Sequence, residues 1–188
     1  ALEQGALGRV RDSFLRAMLW GALWDEVRAV RFEPARFVRL ALAELPNEHD
    51  EQIVPRVLGR LRRAVGAYLS PAELEEWRPR LERVFRESAE DGSRPYGIRK
   101  AYLDAFVDVA ATGDGVDRLV SLLSADSAAG EPLRHPTRWD VVIRLMVLGA
   151  PAASERLEAQ RTRDATADGR RRAFIAGAAG RSAENKQA

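Results

Sequence analysis

Two histidines, His49 in Asn-Glu-His-Asp and His135 in Arg-His-Pro, are the side chains of this sequence most suited to proton transfer or metal binding near neutral pH. A zinc site on one helix needs two histidines a turn apart, as in H-E-x-x-H. Asp50 follows His49 and Pro136 follows His135, so neither begins that motif, and each is expected in a solvated loop. There is no cysteine, which removes a thiolate nucleophile, cysteine-ligated zinc or iron–sulfur, and any disulfide scaffold. Carboxylate acid–base chemistry needs two carboxyl groups in unlike environments inside a cleft. The pairs Asp25-Glu26, Glu75-Glu76 and Glu90-Asp91 are adjacent, point about 100° apart on a helix, and read as solvated faces. Gly113-Asp114-Gly115 follows no strand, so it is helix punctuation and not a dinucleotide loop. No catalytic, metal-ligating or cofactor-binding residue is assigned, and the substrate contacts stay unknown.

Arginine supplies the remaining chemistry. Lysine occurs only at Lys100 and Lys186, and 30 basic against 28 acidic residues leave a formal net charge of +2. Arg60, Arg62 and Arg63, and then Arg170, Arg171 and Arg172, are the best candidates for a phosphate surface or for bidentate capture of a peptide carboxylate. The interspersed acids and small net charge argue against the large counterion release that nucleic-acid binding needs. Trp20 and Trp24, four residues apart, share a helix face and read as packing between helices rather than a stacking platform. The preference for arginine over lysine, with abundant alanine, suggests a GC-rich bacterial genome.

The elements that would carry these residues are helical. Val10, Phe14, Ala17, Met18 and Gly21 form one apolar stripe, and Leu15, Leu19, Ala22, Leu23 and Val27 the next. This predicts a helix from Val10 to Phe32 with contacts on two sides. Further helices are expected from Glu33-Pro34 to Leu45 and over Ile53–Leu69. Ser70-Pro71-Ala72-Glu73 is a capping box that opens a fourth, with Pro79 inside it. Ile98, Tyr102, Phe106, Val109 and Ala110 mark another, and Asp114 is placed as the cap of the next. Ser124 to Pro136 reads as a surface loop. Arg138-Trp139 then opens a helix that Gly149-Ala150-Pro151 stops, and a second begins at once with Pro151 in its first turn and Leu157 inward. Asp164-Ala165-Thr166 caps a third, which carries Phe174 and Ile175, and Ser182 is placed to cap one more.

No window alternates in the manner of a strand, so the class is all-α. Short connections make consecutive helices antiparallel neighbours, which predicts an α-α superhelix of helical pairs with HEAT or armadillo character. The longest apolar run, Ala17 to Trp24, is too short to span a bilayer, and no signal peptide is seen. A cytoplasmic location is expected, and both ends of the chain look cut from something longer.

Arg138-Trp139, then Asp164, Thr166, Gly169 and Arg170, then Ala183-Glu184-Asn185-Lys186, resemble the C-terminal end of bacterial aminopeptidase N-type zinc metallopeptidases. The match is strongest over Arg138–Lys186 and extends to Leu19-Trp20-Gly21-Ala22-Leu23-Trp24-Asp25, which is similar to that family's Leu-W-x-x-L-W-D-type helix. His135-Pro136 departs from the acidic approach to the Arg-Trp pair seen in the family. The resemblance implies that residues 1–188 are a single non-catalytic helical domain of a longer enzyme, walling a chamber and limiting which peptides reach the active centre. It implies zinc in the parent enzyme and none here, with the catalytic domain of the same polypeptide and peptide substrates as partners, and no membrane. The alternative is a free-standing HEAT-like scaffold for protein or nucleic acid, which should carry polar end helices where a piece of an enzyme exposes an apolar face.

Overall fold

The computed structural model describes residues 7–128 and 130–180, and over these the all-α class holds. Ser182 and the run Ala183–Lys186 lie outside the described residues. The chain divides into two compact units, Ala1–Val109 and Ala110–Ala188.

The first unit contains α1 (Ser13–Arg28), α2 (Pro34–Glu44) with a 3-10 turn at Leu45–Asn47, α3 (Ile53–Ala67), α4 (Pro71–Glu90) and α5 (Tyr96–Val109). Asp12 caps α1 by accepting the Leu15 amide at 2.9 Å, so the helix is shorter at both ends than its apolar pattern suggests. It stops where Val30 turns left-handed at φ 58°. Only one face of α1 is packed among the described residues, through Trp20, Leu23 and Val27. The two-sided packing expected from its stripes is therefore not met within the described residues.

Both early tryptophans pack as core. Trp20 is 1% exposed and meets Phe37 edge-on at 5.9 Å, while Trp24 lies 5.4 Å from Phe37 and 5.9 Å from Tyr68. Burying one such ring is worth roughly 3 kcal/mol. Pro55 falls at the third residue of α3, where a missing amide costs no helical hydrogen bond.

The α4–α5 hairpin is sealed by buried Tyr102, whose hydroxyl donates to the Leu45 carbonyl at 2.9 Å. Burial pushes the Tyr102 phenol up to about 12. Buried Arg94 lies 5.7 Å over that ring and donates to Asp91 at 3.0 Å and to the carbonyls of Glu48 and Pro46, which ties the 3-10 turn to the α4–α5 connection.

The capping box forms as read: the Glu73 amide donates to Ser70 Oγ at 3.3 Å, and the Ser70 amide to Glu73 Oε2 at 2.8 Å. Ser70→Ala removes the acceptor for an orphan helix amide and is expected to cost about 1 kcal/mol, a loss of several degrees in Tm by thermal circular dichroism.

In the second unit, α6 (Gly113–Ala125) leads through a two-residue antiparallel pair, β1 (Ser127–Ala128) and β2 (Glu131–Pro132), to α7 (His135–Leu148), α8 (Ala153–Arg163) and α9 (Ala167–Ala179). Four sequence expectations change here. Thr112, not Asp114, caps α6 by accepting the Gly115 amide at 3.0 Å, because its φ/ψ is extended while Asp114 already lies in the first turn. The surface loop is shorter than Ser124–Pro136 and contains the small strand pair. Helix α7 opens at His135, which places Arg138-Trp139 in its second turn. Pro151 lies in the turn ahead of α8, whose cap position is Ala152 at φ 55°. Gly149, at φ 63°, stops α7 as read, its amide and that of Ala150 closing onto Met146 and Leu145.

Candidate functional site

The motif residues of the second unit converge on one carboxylate. Asp164, 5% exposed, sits between α8 and α9 and accepts from four groups. Its Oδ1 takes the Thr166 hydroxyl at 2.6 Å and the Thr166 amide at 3.2 Å; its Oδ2 takes the Trp139 indole N–H at 2.7 Å and His135 Nε2. Thr166 in turn caps α9 by accepting the Gly169 amide at 3.0 Å. The Thr166 hydroxyl, followed by the Trp139 indole, holds the Asp164 carboxyl far below the usual carboxylate range against the opposing pull of burial.

Gly169 completes the arrangement. A Cβ at this position would lie closer than 3.0 Å to the Asp164 carboxyl carbon and to its backbone carbonyl oxygen. Only a residue without a side chain lets α9 approach. Trp139 is wholly buried, so the pairing with Asp164 also satisfies an indole donor that has no access to water. A second pairing lies beside it: Arg138 donates to Gln160 Oε1 at 3.2 Å and to Asp126, and Arg163 donates to the other Asp126 oxygen at 2.6 Å. The carboxylate, indole, hydroxyl and glycine thus form a clasp binding α7 to α9, with every Asp164 oxygen occupied. Such a carboxylate is structural, since no lone pair is left for a substrate proton or a metal.

His135 is a correction. The sequence places it in a solvated loop, whereas it stands in the first turn of α7 with its ring on Asp164. His135 and Trp139 are four apart and so share a helix face, a signal that the loop reading of His135 passed over. His49 is exposed in an irregular segment, as expected. Among the described residues no group of three or more His, Asp or Glu side chains is placed to hold a metal ion.

The candidate arginines separate. Arg62 pairs with Asp108, Arg171 with Asp168 at 3.1 Å, and Arg172 with Asp168 at 2.8 Å and Asp140 at 3.3 Å. Arg170 donates to the Ala165 carbonyl at 2.7 Å. The Arg170–Arg172 run is therefore largely neutralised or engaged, which weakens it as a phosphate surface. Between α8 and α9 runs a groove of about 690 Å³, lined by Ala173, Phe174 and Gly177 on one side and Glu158 and Arg161 on the other. Phe174 and Ile175 are 69% and 44% exposed, because the buried face of α9 is made by Gly169, Ala173 and Ala176. No helix among the described residues is long and apolar enough to cross a membrane.

Compared with known families, the chain matches the one described as ERAP1-like C-terminal domain, over residues 1–188. No curated protein matches it.

Proposed function

The chain belongs to the family of ERAP1-like C-terminal domains, the C-terminal domains of multidomain aminopeptidases, and from that premise we propose that it is the non-catalytic wall of a zinc aminopeptidase's internal chamber. The match over residues 1–188 carries this reading. The family makes the chain part of a larger polypeptide with a catalytic domain. In the proposal that domain holds the zinc and removes N-terminal residues from peptides, while these helices exclude folded proteins and limit which peptides enter. A bacterial cytoplasmic setting accords with the arginine-rich, cysteine-free composition.

Within such a wall the useful chemistry is positive charge. Arginines without a carboxylate partner among the described residues, such as Arg63 and Arg83, keep their donors free for a peptide's C-terminal carboxylate. In the full-length enzyme, alanine scanning of these arginines is expected to raise KM for a peptide of about ten residues by roughly tenfold at the position that holds the carboxylate, a difference of about 1.4 kcal/mol. KM for a single-residue chromogenic substrate should be unchanged. Equal effects on both substrates would remove the carboxylate-holding role.

A further inference from the structure

Helix α3 carries a row of arginines along one flank of its outward side. Arg56, Arg60 and Arg63 stand at i, i+4 and i+7, within one stripe, while Ile53, Val57, Leu61 and Ala64 are buried in the core. The sequence grouping of Arg60, Arg62 and Arg63 is thereby rearranged: Arg62, on another side of the helix, pairs with Asp108, and Arg56 takes its place in the row. Arg56 and Arg63 are exposed, and none of the three enters an ion pair among the described residues.

Arg60 is half-buried, and its guanidinium lies 3.8 Å from the position of a Cβ at Gly21, so it rests against α1 where that helix has no side chain. Burial lowers its pKa; Asp25, itself paired with Arg28 at 3.6 Å, only partly offsets this, and the Arg56 charge adds to it. A guanidinium stays charged at physiological pH, so the mismatch is relieved by bringing in an anion and not by losing a proton.

The surroundings define that anion. Gly59 and Gly66, also at i and i+7, run parallel to the arginines, and a Cβ at either meets nothing within 4 Å. Beside the charged row there is thus a low, open lane in which a second backbone can lie close to the helix. The row also has a pitch. At a rise of about 1.5 Å per residue, Arg56 and Arg60 are about 6 Å apart along the axis, and Arg60 and Arg63 about 4.5 Å. Side chains on one side of an extended chain recur about every 6.6 Å. Carboxylates at alternate residues of an extended peptide therefore meet successive guanidiniums, with the flexible arginine stems taking up the difference, and each pair is a planar fork on a planar anion. A nucleic-acid strand is the poorer complement, because Asp25 lies beside the row and the chain's formal net charge is only +2.

We propose that the Arg56–Arg60–Arg63 flank of α3 binds an extended acidic peptide segment with carboxylates at alternate residues, whose backbone lies in the lane at Gly59 and Gly66. The choice of a peptide rests on the aminopeptidase reading above, and the site gives that enzyme a preference for peptides that are acidic beyond their N-terminal residue. Capture of a C-terminal carboxylate is a separate matter, and the two fail separately, because the probe used here has no free terminus.

The full-length polypeptide is titrated calorimetrically with N-acetyl-Ser-Glu-Ser-Glu-Ser-Glu-Ser-amide in about 0.1 M salt. Acetylation denies a peptidase its substrate amine, and amidation removes the C-terminal carboxylate. The version with glutamine for glutamate is expected to bind at least about tenfold more weakly, and equal affinity would overturn the proposal. Three contiguous glutamates in the same serine background should bind severalfold more weakly than the alternating ones; equal binding would overturn the extended fit. Arg60→Gln and Arg63→Gln should each weaken binding about fivefold, Arg60→Lys less, and Arg83→Gln in α4 not at all. Unchanged affinity in both ridge variants, or an equal loss in Arg83→Gln, would overturn the assignment to α3. Gly66→Gln fills the lane with a better helix former, so a severalfold loss there supports the site and cannot come from a weakened helix. Tighter binding of an oligothymidylate than of the glutamate peptide, lost in the same arginine variants, would assign the flank to nucleic acid and overturn the proposal. A thermal melt with the wild-type transition shows that each variant is folded.

Discussion

Gly169→Ala is expected to be the most damaging single-methyl change in the second unit. The added carbon would fall closer than 3.0 Å to both the Asp164 carboxyl group and the Asp164 backbone oxygen. A flexible side chain could rotate away from the methyl, but a backbone carbonyl just ahead of α9 cannot. Either α9 shifts outward, opening the Trp139–Asp164 hydrogen bond, or the cap at Thr166 breaks. Overpacking of this kind costs about 3 kcal/mol or more, a large part of the stability of an ordinary domain. A fall in Tm of roughly ten degrees is expected by thermal denaturation. Gly177 in the same helix provides the contrast, because a Cβ there meets nothing within 4 Å. Gly177→Ala should be neutral or stabilising by about 0.5 kcal/mol through the lower backbone entropy of alanine. Equal losses at the two glycines would mean that helix flexibility, and not the contact with Asp164, makes Gly169 necessary.

The helices were legible because their signals are local. Apolar spacing of three and four residues placed α3, α4 and α5, and the box at Ser70 and Glu73 depends on residues three apart. Caps were less legible where two polar residues compete. Thr112 and Asp114 both suit a cap, and the choice turns on which one has extended backbone, a property the pattern does not carry. The clasp was legible as a set of residues but not as a contact. Trp139 and Asp164 are 25 residues apart and His135 and Asp164 are 29 apart, so their meeting depends on how the α7–α8 turn at Gly149 folds the chain back. The two stripes of α1 illustrate the opposite case. Their pattern correctly gives an apolar circumference, yet only one side finds a partner among the described residues. Periodicity gives the apolar positions of a helix but not which of its faces is packed, which depends on contacts distant in sequence.

Asp164→Asn tests the charge of the clasp separately from its shape. The asparagine keeps the volume and one carbonyl acceptor, but its amide nitrogen is a donor facing donors, so one of the Trp139, His135 and Thr166 contacts must be lost. In the folded protein the Asp164 carboxyl lies far below its ordinary value, chiefly because the Thr166 hydroxyl and the Trp139 indole bond to the ionised form. A depressed folded-state pKa stabilises the fold at pH values above the unfolded carboxylate's pKa of about 4, and that contribution is lost as pH falls through the range below it. The wild-type Tm should therefore be level near neutrality and decline steeply below about pH 4. Asp164→Asn should melt lower at pH 7, decline more gently in acid, and approach the wild-type curve at the lowest pH values. Trp139→Phe, which removes one donor and leaves the carboxylate, should give an intermediate slope. Parallel wild-type and Asp164→Asn curves across this range would show that Asp164 holds the helices by shape alone, through a hydrogen-bonding geometry in which the charge has no part.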